Sequence, residues 1–296
     1  MQTPWGDFPV FDAHTHFFSW RFFQSLAAQS GRSVEEIGAS LGWQLPPEDP
    51  AELAHAWSAE LDSHAVARAA LIASFPGDEV SVLAAKAACP GRFWAFAMVN
   101  PLAENASVAD GLDAVCLFPA MHRYPIHDPK AQPILDQAAA LGCAVFVHCG
   151  VLSVGVRKKL GLTSPFDMRF SNPIDLHAVA LNYPQIRFIV PHFGAGYLRE
   201  ALMLADLCPN VYLDTSSSNS WMRYDGLDLR TVFRRALDVA GAGRLLFGTD
   251  SSFFPRGWVE PVFEQQGRTL YELGISSSDA QLIFGGNLER ILKARL

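Results

Sequence analysis

The chain has 296 residues, half of them apolar, and sets 23 Lys and Arg against 30 Asp and Glu for a formal net charge of −7, with no long run of either sign. That composition supplies a large core and excludes a disordered or collagen-like chain. The acidic balance offers a phosphate backbone no footprint, which argues against nucleic acid as a partner.

Short apolar runs rich in Val, Ile and Phe predict strands at 9–13, 69–74, 94–99, 114–118, 143–147, 187–191, 211–214 and 245–248. Helical periods at 80–88, 134–141, 174–181 and 198–207 stand between them. Continuously apolar strands are buried on both faces, as in a parallel sheet covered by helices, and eight βα units at this length predict a (β/α)8 barrel, an α/β fold. An open dinucleotide-binding sheet would want GxGxxG after its first strand; the chain reads Asp12-Ala-His14-Thr-His16 there instead. No repeat, low-complexity tract or linker marks a boundary, so residues 1–296 read as one domain. Its longest insertion, 17–49, should lie over the barrel mouth, and Ser33 with Glu36 three residues on has capping-box spacing that predicts a helix there. Insertions at 149–172 and 215–228 read as binding loops.

Cysteines at 89, 116, 143, 149 and 208 form no CxxC pair, which speaks for a reducing compartment. No apolar stretch reaches the ~18 residues of a membrane span, and the opening MQTPWGDFPV lacks the order of a signal peptide. A cytoplasmic protein without membrane contact is expected.

Residues with metal-ligand chemistry stand at the C-terminal ends of the apolar runs, where barrel active sites are built. Strand one leads into His14 and His16; residues two apart in an extended chain point the same way, so both imidazoles can meet one ion. Two solvent histidines beside a turn would explain this pair alone. Strand five, however, ends in His148, strand six in His192 and strand eight in Asp250, and recurrence on one rim argues for a common site.

With these residues in place the chain resembles the amidohydrolase superfamily, and within it the amidohydrolase-related group of metal-dependent hydrolases, lactonases and aminocarboxymuconate-semialdehyde decarboxylase-like enzymes. FDAHTH, VFVHCG, IVPHFGAGY, LFGTDSSFF and FGGNLERIL carry the resemblance and span nearly the whole chain in the order of that fold. It implies a divalent ion, usually zinc with manganese as the alternative, on His14, His16, His148 and Asp250. His192 is implied as ligand of a second ion or as a catalytic acid/base, and Gly285-Gly286-Asn287 as structural. The chain departs from the pattern at strand four. Many relatives carry a carboxylated lysine there and some read Lys-Leu-His-Pro, where this chain has Cys116-Leu-Phe118-Pro119; without a bridging ligand, a single ion is expected.

An ion so bound lowers the pKa of a water toward ~7. Asp250 is then the expected general base, His192 polarises the substrate oxygen or supplies a proton, and Asp12 orients a histidine. The roles predict a hydrolase acting on a C–N or C–O bond of a small, carboxylate-bearing substrate. The alternative is a nonoxidative decarboxylase, and the third reading a non-catalytic metal- or ligand-binding barrel. Candidate substrate contacts are Trp20, Arg21, His122, Arg169, Trp221 and Arg223, on a rim that also carries Arg157, Lys158 and Arg256. His122 is equally readable as an exposed loop histidine. Phe17, Phe18, Phe22 and Phe23 either wall a pocket or pack a core. His55, His64 and His177 read as surface or helix-packing residues, and Cys149 as a weak nucleophile candidate. The apolar exterior would permit a homodimer.

Overall fold

The computed structural model describes every residue except Ser153, Ser217, Ser218 and 294–296, so part of the strand-seven loop of the sequence reading lies outside the described residues. Eight strands, β1 (Phe11–Phe17), β2 (Arg68–Ala73), β3 (Phe93–Met98), β4 (Ala114–Leu117), β5 (Ala144–Val147), β6 (Phe188–Val190), β7 (Val211–Asp214) and β8 (Leu245–Leu246), pair in sequence order and parallel. The chain after β8 returns to β1. Ala13 N donates to Phe247 O at 2.8 Å, Asp250 N to His14 O at 2.9 Å and His16 N to Ser251 O at 2.7 Å, which brings the two edges of the sheet together. The expected (β/α)8 barrel is what forms.

Side-chain alternation sorts the strands into two layers. Ile72, Phe96, Met98, Cys116, Phe118, Phe146, Ile189, Tyr212 and Leu246 fill the interior, joined at the strand starts by Leu288, Ile291 and Leu292 of the C-terminal helix. Their alternates, among them Leu71, Val115, Val145, Val190, Leu213 and Phe247, pack outward with the helices. Both faces are apolar, which is why the strands read as unbroken hydrophobic runs. Below β8, Asn287 Nδ2 donates to the carbonyls of Ala242 (2.7 Å) and Leu245 (2.9 Å). A Cβ on Gly285 would stand 2.8 Å from the Phe11 ring, so the FGGN stretch is a packing device.

Strand β1 is longer than its apolar run, because its last residues bond to the β8 side. It also changes face. Phe11 and Ala13 belong to the interior, so strict alternation would turn His14 and His16 outward. The register against β2 shifts between Asp12 and Thr15. That bulge re-aims the strand: the two histidines reach the barrel mouth and Phe17 joins the outer layer.

The 17–49 stretch forms two helices, α1 (Trp20–Ser30) and α2 (Val34–Leu41). Ser33 and Glu36 cap α2 reciprocally at 3.2 and 2.7 Å, the capping box read from the sequence. Phe22, Phe23, Leu26, Ile37 and Leu41 pack with Val156 and Leu160 into a small core of their own. Arg157 Nη1 donates to Gln29 Oε1 at 2.6 Å, tying the loop after β5 to α1. The following helix, α3 (Pro50–Ser63), returns to the barrel side. Among the described residues no helix is long and apolar enough to cross a membrane.

Candidate active site

The strand ends converge on a cavity of 440 Å³, within the span of about 300–1,000 Å³ typical of small-molecule sites. His14, His16, Ser74, His148, His192 and Asp250 line it, together with the aromatic rings of Phe18, Phe22, Trp43, Phe118 and Phe253. Three donor atoms form a triangle. His14 Nε2 lies 3.4 Å from His16 Nε2, and Asp250 Oδ1 lies 3.6 and 3.3 Å from these two nitrogens. Among the described residues, His14, His16 and Asp250 form the set whose ligand atoms all fall within 4.8 Å of one another.

Hydrogen bonds behind the triangle fix its lone pairs. His14 Nδ1 donates to Asp214 Oδ2 at 2.7 Å. His16 Nδ1 meets Ser74 Oγ at 2.8 Å, and that hydroxyl gives its own proton to the Ile72 carbonyl. With both Nδ1 atoms protonated, each neutral ring turns a bare Nε2 toward the other. Two lone pairs and an ionised carboxylate at such range repel unless a cation or proton lies between them. A tetrahedral ion with bonds of about 2.0–2.1 Å separates its ligands by about 3.3–3.4 Å, so the donor set fits a divalent ion. His16 and Asp250 are 22 and 29% exposed against 2% for His14, so the triangle opens to the cavity on their side.

The groups of the triangle also shift one another's protonation. Burial acts against a charge on His14, but Asp214 and Asp250 outweigh it and shift its pKa upward. For His16, burial dominates the pull of Asp250 and the shift is downward. Burial would raise Asp250, yet contact with the His16 imidazole and the nearby His14 and His192 carry it well below the usual carboxylate range, so it is ionised. Burial, reinforced by His192 and His14, keeps His148 neutral. Its Nδ1 is buried with no protein partner, while its ring stacks on Phe118 at 5.2 Å. His148 therefore has an unclaimed nitrogen, though it stands outside the tight triangle.

His192 arrives by a different route. After β6 the backbone runs through positive φ at His192 (55°), Phe193 (52°), Gly194 (83°) and Ala195 (44°), a conformation uncommon outside glycine, and this turn carries the imidazole onto the cavity wall. Its Nδ1 lies 3.1 Å from the Ser216 carbonyl and 2.9 Å from Ser216 Oγ. A carbonyl only accepts, so Nδ1 carries the proton. Burial, aided by His14, lowers the pKa. The resting Nε2 thus holds a lone pair that faces away from Ser216.

The strand and loop positions of Asp214, Ser216 and Ser74 do not by themselves announce their contacts with the imidazoles. Each continues its strand's inward alternation past the apolar run: Ala70, Ile72, Ser74 on β2 and Tyr212, Asp214, Ser216 on β7. The period-two pattern was the available signal. Asp12, expected to orient an imidazole, instead accepts from His14 N (2.8 Å), Thr249 N (3.1 Å), Thr249 Oγ1 and Trp258 Nε1 (2.8 Å), so it fixes the backbone of β1 and leaves the ring to Asp214. Complete burial raises its pKa to about 6 despite these donors. Gly248 makes room behind the triangle, since a Cβ there would lie 2.9 Å from Asp214 Oδ1 and from His14 Cβ, and 3.0 Å from Ser216 Cβ.

The proposed substrate contacts fare differently. Trp20, Arg21, His122, Arg169, Trp221 and Arg223 do not line the cavity. Arg21 is drawn to Asp78 and the Gly77 carbonyl, and Arg169 to Asp167. Arg223 is exposed over Tyr224, and Trp221 is buried under the loop. His122 ends a short helix, Pro119–His122, with a buried Nδ1, and is no exposed loop residue. Of the rim cations, Arg256 lines the cavity, donating to the Asp250 carbonyl at 2.7 Å, and so does Lys159, which the sequence reading passed over. Phe18 and Phe22 are cavity wall, whereas Phe17 and Phe23 are core. Burial pushes the Cys149 thiol up to about 12, which removes it as a nucleophile.

The sequence model of the amidohydrolase family matches residues 11–294. The chain belongs to that family. Among solved structures, this amidohydrolase is similar to a proposed 2-pyrone-4,6-dicarboxylic acid hydrolase from Pseudomonas putida (16% identity, 98 and 99% of the two chains, TM-score 0.63). It is similar also to a zinc-bound amidohydrolase from Burkholderia multivorans (18%, 97 and 99%, 0.62). A third is 5-carboxyvanillate decarboxylase from Novosphingobium aromaticivorans with manganese and 4-hydroxy-3-methoxy-5-nitrobenzoic acid (14%, 97 and 96%, 0.64). At these identities the likeness establishes the fold. Over 85 residues the chain is 36% identical to Protein fluG of Emericella nidulans; the match takes in 29% of this chain and spans a tenth of that protein.

Proposed function

We propose that this amidohydrolase is a metal-dependent hydrolase acting on a C–N or C–O bond, amide or lactone in type, of a small carboxylate-bearing substrate. The observation that carries the proposal is the triangle of His14 Nε2, His16 Nε2 and Asp250 Oδ1, with edges of 3.3 to 3.6 Å and its lone pairs fixed from behind. One divalent ion, zinc by preference and manganese as the alternative, would be held there with His148 beside it, supplying Lewis acidity and a water acidic enough to react near neutral pH. Phe118, stacked on His148 where some relatives have a histidine, favours a single ion over two.

Both proton-handling groups rest as acceptors, Asp250 ionised and His192 with a free Nε2. The attacking water gives its proton to one of them, and that group returns it to the leaving nitrogen or oxygen. Lys159 and Arg256 on the wall suit the substrate carboxylate. We take residues 1–296 as one catalytic unit roofed by the 17–49 insertion, and the cytoplasm as its location.

The aromatic lining favours a second reading. Phe18, Phe22, Trp43, Phe118 and Phe253 exclude water, and a poorly hydrated carboxylate loses carbon dioxide more readily. In that case the C–C electron pair stays on the substrate carbon and is quenched by a proton. Turnover in ¹⁸O-labelled water separates the two: hydrolysis places one labelled oxygen in the organic product, whereas decarboxylation releases carbon dioxide and leaves the organic product unlabelled. Undiminished turnover by metal-free, folded protein would sink both.

A further inference from the structure

Next to the catalytic cavity lies a second one of 200 Å³, formed where the chain enters α3. Leu45, Pro46 and Pro47 bound one part, Ala56 and Trp57 of α3 another, and Phe254 a third; among the described residues no ionisable side chain lines it, and Gln44 and Ser252 supply polar groups. Phe18, Ser252 and Phe253 are walls of both cavities. The two cavities therefore adjoin along these three residues. Trp43 stacks on Phe253 at 4.1 Å and 14° and lies 5.7 Å from Phe18 at 20°, which props both shared rings in place.

We propose that this side cavity is a subsite for an apolar portion of the substrate, an aryl ring or a short alkyl chain. The inference rests on the preceding reading, in which the polar end of the substrate occupies the main cavity. An apolar cavity of about 150 Å³ already holds benzene, so the space suffices for a phenyl group. Its walls offer no charge, while the ionised and cationic side chains Asp250, Lys159 and Arg256 all line the main cavity. A substrate that fills both is amphiphilic, with its reacting end on the triangle and its apolar end behind Phe18 and Phe253.

Ala56 is exposed on α3 and lines the side cavity without touching the main one. Ala56→Phe should therefore fill the space at little cost to the fold, and Ala56→Ser serves as a control of similar size. The probes are straight-chain carboxylates from acetate to decanoate, titrated calorimetrically into the zinc-loaded full chain. Affinity should rise about fourfold per added methylene over the lengths that reach the side cavity. The rise should vanish in A56F and survive in A56S, with acetate binding alike in all three. An undiminished rise in A56F, or none in the wild type, overturns the inference. 1-Hexanol separates the subsite from the reading beneath it. If hexanol binds, A56F abolishes its binding, and acetate fails to bind at all, the subsite stands and the carboxylate-end reading falls.

Discussion

Asp214→Asn tests the lone-pair argument directly, because it changes one charge and hardly any volume. Asp214 serves two donors: Oδ2 takes His14 Nδ1–H at 2.7 Å and Oδ1 takes Ser216 N–H at 2.6 Å. An amide has one acceptor oxygen. The backbone N–H of Ser216 cannot reverse its role, so the oxygen is held there and the NH2 turns to His14. A donor facing Nδ1 selects the other tautomer and puts the ring proton on Nε2, inside the triangle. Loss of such a partner behind a ligating histidine typically costs 10- to 100-fold in metal affinity, about 1.4–2.7 kcal/mol. Competition with a chromogenic chelator reads the zinc Kd, and ¹⁵N shifts of the imidazole read the tautomer. D12N is the control: Asp12 bonds the backbone of His14 and not its ring, so its loss should lower stability while leaving zinc affinity close to wild type. A folded D214N protein with the zinc Kd and His14 tautomer of the wild type would refute the reasoning.

Gly248→Ala places a methyl within 3 Å of Asp214, His14 and Ser216; urea unfolding should show a loss of about 1–3 kcal/mol, the usual cost of overpacking, together with weaker zinc binding. Chelation followed by zinc at about 1,000 times its Kd should raise stability by about 4 kcal/mol through linkage, seen as a higher Tm, and Asp250→Asn should abolish turnover. His122 supplies a pH test away from the triangle, since burial lowers its pKa from 6.5 to about 4. The unfolded chain binds the extra proton between those values, so this contribution is intact above pH 6.5 and lost as pH falls toward 4. At pH 5 that amounts to about 1–2 kcal/mol for a half-buried ring. The drop in unfolding free energy between pH 7.5 and pH 5 should be smaller by that amount in His122→Asn, and an equal drop would disprove the assignment.

Much of the site was legible in the sequence because a parallel barrel puts its chemistry where apolar runs end. His148 continues Ala144 and Phe146 by strict alternation, and Asp250 lies an even number of residues beyond Leu246, so both needed only the strand and its period. The same period picks out Ser74 and Asp214 at the ends of their predicted strands, and Ser216 once the strand is extended two residues further. The rim cations were less legible, since a basic residue in a loop takes whatever carboxylate or carbonyl is nearest. Arg21 and Arg169 found theirs outside the cavity, while Lys159 and Arg256 line it.

By itself, then, the sequence determined the eight strands, their burial on both faces and the rim of histidines and aspartate, all of which follow from local periodicity and residue chemistry. Tertiary structure alone decided which way His14, His16 and His192 face. The first two are turned inward by a bulge that depends on how β1 registers against β2, and the third by a left-handed turn beside Ser216. It also decided that Asp214, 200 residues from His14 in the chain, would be the carboxylate that fixes its proton. Contacts at that separation exist only once the barrel closes, and no local pattern can encode them.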